Sequence, residues 1–207
     1  GGQFSNSYHN YNAQNAKINA ILDQIIDAYG NNAYAFFAGG DYGFDSNLNT
    51  TNTNNGIANL KTTVEAKLPN LQQEIFVQGN HDNTTGNWTG SGAYDTEYYG
   101  AFAISEDDFP AKTGTPKAAT LTALDTYLAG RVANNPYQPV FIMTHVPLHY
   151  DLRTIAEGDG MYGKRLFDIV SKYGDDLNII FLYGHNHAHG DDDYIGGSAN
   201  FYTKGDT

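Results

Sequence analysis

Asp41, Asn80, His81, Asp82, His145, His185 and His187 hold most of the chemistry this chain has to offer. They stand in four clusters: Gly39-Gly40-Asp41, Gly79-Asn80-His81-Asp82, Thr144-His145 and Gly184-His185-Asn186-His187. With no cysteine present, thiolate metal sites, a Cys nucleophile and a disulfide scaffold are excluded together. Imidazole and carboxylate suit zinc, iron or manganese, and a carboxylate can bridge two cations. An amide oxygen from Asn fills a coordination position without adding charge. Paired ions roughly 3.5–4 Å apart can clamp the attacking and leaving oxygens of an in-line displacement at phosphorus and deliver hydroxide near neutral pH.

Each cluster follows a short apolar run. Tyr34 to Ala38, Ile75 to Val77, Val140 to Met143 and Ile179 to Leu182 read as buried strands that end where the polar residues begin. Between them, apolar residues recur at helical spacing. Ile18, Ile21, Leu22, Ile25 and Tyr29 predict a helix over 13–29 that stops at Gly30. Further helices are expected over 57–68, closed by Pro69, over 118–132, with Leu121, Leu124 and Leu128 on one face, and over 162–173. A strand over 101–104 is expected near a sheet edge. The Asn/Thr stretch 47–55 and the turn-rich stretch 83–92 read as loops. Strands alternating with helices imply an α/β fold, in which loops at the carboxyl ends of strands converge on one crevice. Six of the seven histidines lie in or close to these strand-end clusters, and His9 alone is remote.

With 207 residues, no linker and no internal repeat, we expect a single domain over 1–207. Gly1-Gly2-Gln3 and Gly205-Asp206-Thr207 look like cut ends, so we expect it to be truncated at both. Aromatic residues are 14% and charged residues 16%, which argues against disorder. The net charge of −12 disfavours binding to a nucleic-acid polymer, and no apolar run reaches the roughly 18 residues of a membrane span. The Asn-, Tyr- and Thr-rich acidic composition suggests the outside or the surface of a bacterial cell, with a cytoplasmic enzyme as the alternative.

In order and spacing the four clusters resemble the calcineurin-like metallophosphoesterases, over about residues 30 to 190. That resemblance implies a four-layer α/β/β/α sandwich, two mixed sheets flanked by helices, with two divalent metal ions (zinc, iron or manganese) at the strand ends. Asp41 would bridge the ions. Asn80, His145 and His185 would complete one site, and His187 would bind the other ion. His81 would stand over the substrate phosphate as general acid, held by Asp82. The implied reaction is hydrolysis of a phosphomonoester or phosphodiester by a metal-bound hydroxide. The expected substrate is a small phosphoester, nucleotides included.

One departure stands out. The family's first motif, D-x-H after the first strand, is not found; Ser7-Tyr8-His9 has the spacing but not the Asp. The motif is expected upstream of Gly1. The alternative is a degenerate site in a catalytically silent surface or binding module. Nearby, Arg153 could grip a phosphate in bidentate fashion or be a solvated loop cation, and His149 reads as a rim residue near substrate. His189 and the run Asp191-Asp192-Asp193 fit a surface turn as well as a site. Trp88 and Tyr94 could stack on a base or simply pack.

Overall fold

The computed structural model describes residues 11–42, 50–147 and 163–185. His9, His149, Arg153, His187, His189 and Asp191-Asp192-Asp193 lie outside the described residues. The fold is α/β. The chain divides into two compact units, one of 1–76 with 81–88 and the other of 77–80 with 89–207.

The first unit contains α1 (Tyr11–Tyr29), β1 (Ala35–Ala38), α2 (Thr50–Glu65) and β2 (Gln73–Phe76). β1 and β2 pair in parallel, Ala35 opposite Gln73 and Ala38 opposite Phe76. The face that α1 buries is narrower than the sequence suggested. Leu22 is buried, with Ile18 and Ile26 packed beside it against Val64 and Leu68. Ile21, Ile25 and Tyr29 are exposed. A single ridge at i, i+4, i+8 meets the neighbouring helix, so the apolar residues one step round it stay in solvent. Gly30, at φ +79, ends α1 by donating its N–H to the Ile26 carbonyl, the left-handed cap that glycine adopts without strain.

α2 corrects the loop expected over 47–55, because residues 50–55 are its first turns. Thr and Asn are modest helix formers, and here tertiary hydrogen bonds override that preference. Thr53 is fully buried and its hydroxyl accepts the Asn83 N–H. The Asn54 amide oxygen accepts the Asn87 N–H, and the Thr50 hydroxyl donates to Asn83. The polar run therefore anchors the 83–87 loop. Trp88 closes that loop by donating its indole N–H to the Asn83 carbonyl, and it packs with Ala38, Tyr42, Ile57 and Phe76.

The second unit contains β3 (Gly92–Ala93), β4 (Gly100–Ile104), α3 (Ala118–Asn134), β5 (Val140–Thr144), α4 (Lys164–Ser171) and β6 (Ile179–Leu182). Its sheet runs β3-β4-β5-β6, with β3 antiparallel to β4 and the other neighbours parallel. β3 falls at the end of the stretch read as loop. Two residues are too short to show a period, and its place is fixed by pairing with Phe102 and Ala103. All five residues of β4 are buried. Leu121, Leu124 and Leu128 of α3 form the expected face, packed with Phe102, Ile104, Val140, Ile142 and Leu166 of α4. Burying β4 and β5 in this way sets the strand ends, and hence the residues just beyond them, on a rigid base.

Candidate metal centre

In the first unit, β1 ends at Ala38 and the chain turns through Gly39 and Gly40 into Asp41, whose φ is 65°. Hydrogen bonds hold this turn from several sides. The Asp41 N–H donates to Asp82 Oδ2 at 2.8 Å, and the Tyr42 N–H donates to Asp82 Oδ1 at 2.7 Å. In return the His81 backbone N–H donates to Asp41 Oδ1 at 2.9 Å. The Tyr42 hydroxyl donates to the Ala38 carbonyl at 2.9 Å and accepts the Gly40 N–H at 3.3 Å. Burial above all, and then the charge of Asp82, hold the Tyr42 phenol well above its usual range, so it stays a donor.

α2 limits the turn from another side. A Cβ on Gly56 would lie 2.2 Å from the Tyr42 carbonyl oxygen, so only glycine allows the helix backbone this close. Neither Tyr42 nor Gly56 was singled out from sequence. The one available signal was a glycine inside what proves to be a helix, and the Asn/Thr run around it concealed the helix.

In the second unit, Asn80, His145 and His185 come together. His145 Nε2 is 2.9 Å from Asn80 Oδ1, His185 Nδ1 is 2.8 Å from the same oxygen, and the two nitrogens are 3.1 Å apart. His145 and His185 are both buried, with ring planes 72° apart and centroids separated by 4.9 Å. His145 follows β5 directly. Its carbonyl accepts the Gly184 N–H at 2.9 Å, tying the end of β5 to the residue before His185. The Thr144 hydroxyl donates to the Val146 carbonyl and fixes the turn that carries His145.

Protons alone cannot satisfy this triangle. If both imidazole nitrogens donate to the amide oxygen, two N–H groups face each other. If only one is protonated, the other's lone pair faces that oxygen's lone pairs. In every arrangement of neutral side chains one contact is repulsive. A cation resolves it, because all three atoms can then offer lone pairs to the same point. For ligand bonds of about 2.1 Å, neighbouring ligands of an octahedral ion stand about 3.0 Å apart, in line with the three observed spacings. The donor set therefore fits a divalent metal.

Asp41 and His185 (φ 67°) are the only non-glycine residues with positive φ among the described residues. Such conformations cost about 1–3 kcal/mol and persist where the surroundings over-determine them, often at functional sites.

The family model of the calcineurin-like phosphoesterases matches residues 9–189, most of the chain. The chain belongs to this family. Comparison with curated proteins gives no match. For a calcineurin-like phosphoesterase, the six described members of the predicted site divide between two arrangements. The phosphoesterase's Asp41, His81 and Asp82 are linked through backbone amides in the first unit, and Asn80, His145 and His185 converge through side chains in the second. Asn80 and His81 are consecutive in one loop. Family membership implies metal-dependent hydrolysis of phosphoesters, and no helix among the described residues is long and apolar enough to cross a membrane.

Proposed function

We propose that this phosphoesterase hydrolyses small phosphomonoesters or phosphodiesters, nucleotides included, at a two-metal centre. The convergence of Asn80, His145 and His185 carries the reading, since that triangle has no repulsion-free arrangement without a cation. These three residues with Asp41 would hold one ion. Asp41 and His187 would hold the other. Zinc, iron and manganese all suit these donors. A divalent ion there supplies Lewis acidity toward phosphoryl oxygens and acidifies water.

The protein's own part is to bind, orient and donate. The imidazole of His81 would give a proton to the leaving oxygen or stabilise charge on the transferring phosphoryl group. Its backbone N–H holds Asp41, so one residue would serve both the ligand and the reaction. Arg153 and His149 are proposed to contact the substrate phosphate. The net charge of −12 favours small substrates over a nucleic-acid polymer. The four-layer stacking of the two sheets and an extracellular or cell-surface setting complete the proposal, supported by the family resemblance and by composition respectively.

The test is elemental analysis of the purified protein, followed by assays with p-nitrophenyl phosphate, bis(p-nitrophenyl) phosphate and a nucleotide panel. Bound divalent metal, turnover on at least one ester and loss of that turnover with a chelator are expected. Metal retained without turnover on any ester would favour the silent binding module, and absence of metal would overturn the proposal.

A further inference from the structure

We propose that Asp82 is a positioning residue for Asp41, acting through the backbone of residues 41 and 42. The motif alone offers Asp82 to the neighbouring His81 ring. In the structure each of its two oxygens accepts one of two consecutive amides, from Asp41 at 2.8 Å and from Tyr42 at 2.7 Å. Asp82 is buried, so these charge-assisted bonds are poorly screened. They grip the two peptide groups on either side of the left-handed Asp41 Cα, whose φ of 65° an unsupported residue would leave.

The other restraints act on the same short stretch. Gly56 brings the α2 backbone against the Tyr42 carbonyl, and the Tyr42 hydroxyl ties the turn to Ala38. The turn is thereby held at two successive amides by Asp82, while the backbone of α2 lies against the Tyr42 carbonyl that follows them. The Asp41 carboxylate is aimed by these two flanking peptide groups and by the His81 N–H on Oδ1. Removing one of Asp82's two acceptors should loosen these amides while leaving the His81 N–H in place.

The variant is Asp82→Asn, which keeps the shape but turns an amide NH2 toward one of the two N–H groups. In the metal-free protein, exchange of the Asp41 and Tyr42 amides, followed by NMR, should accelerate by about 10-fold or more with the thermal transition still cooperative. Mn2+ affinity should fall by about 10–100-fold, the usual cost of losing a residue that orients a ligand. Asp82→Ser, too short to span both amides, should give the same two signals if Asp82→Asn does not fold. Unchanged exchange at both amides would overturn the proposal and return Asp82 to His81 alone. The affinity arm rests on the metallophosphoesterase reading and the exchange arm does not. A parent protein that binds no Mn2+ would therefore refute that reading while exchange still decides the role of Asp82.

Discussion

In the unit built on β1 and β2, a carboxylate is presented by backbone: Asp41 sits on a left-handed turn, its own amide and the next held by Asp82, its oxygen held by the His81 N–H. In the unit built on β3 to β6, side chains converge instead, with His145 just beyond the buried β5, His185 after the parallel but partly exposed β6, and Asn80 Oδ1 within hydrogen-bond distance of both ring nitrogens. The contrast follows from the donors. A short carboxylate moves with its main chain, so aiming it requires control of φ and ψ. An imidazole reaches further and can be aimed by fixing the strand that precedes it. The first arrangement should be sensitive to backbone crowding and tolerant of losing the His81 ring, and the second should be sensitive to loss of any ring.

The largest effect is expected from His145→Ala. It removes one corner of the triangle, and divalent-ion affinity by isothermal titration should drop by more than about 100-fold, beyond the loss typical of an orienting residue. Unchanged affinity would mean that the side-chain arrangement is not a metal site. Next comes His81→Ala, which deletes the ring and keeps the N–H on Asp41. Turnover should fall by about 10²–10⁴ while metal content holds, as for a positioned proton donor. Loss of metal together with activity would show that the ring itself is a ligand and would erase the distinction between the two arrangements.

The smallest effects come from a pair of glycines, one in each unit. Gly56→Ala in α2 places a methyl against the Tyr42 carbonyl and should destabilise by about 1–3 kcal/mol, as overpacking does. Gly130→Ala in α3 meets nothing within 4 Å and should stabilise by about 0.5–1 kcal/mol through helix propensity alone. Thermal denaturation of both variants reads the difference. Equal shifts would show that the close approach of α2 to Tyr42 exerts no force.

Much of this was readable from residue order. β1 and β6 are short continuous apolar runs, β5 is one up to Thr144, and β2 shows itself only in its Ile75-Phe76 end, while the polar residues after these strands include Asn80, His145 and His185, which the structure brings together. What stayed hidden has identifiable causes. The start of α2 is written in Thr and Asn, whose preference for loops is overridden only by bonds to residues 83–87, some 30 positions away. The work of Asp82 leaves no periodic trace, because its partners are backbone amides that every residue but proline carries. Ile21 and Ile25 share the helical spacing of Leu22, and only the placement of α2 decides which of them is buried.

The chain passes between its two units at 76–77, at 80–81 and at 88–89. Neither unit is a continuous stretch of sequence, so no single cut yields one without a part of the other. Gene fusion and exon shuffling move continuous segments, so a segment carrying the Asp41 turn (38–82) also carries 77–80 of the second unit, and one carrying the histidine triangle (80–185) also carries 81–88 of the first. Recombination that keeps either arrangement whole therefore drags along a piece of the other unit, whereas substitution in place and growth of the connecting loops leave both intact.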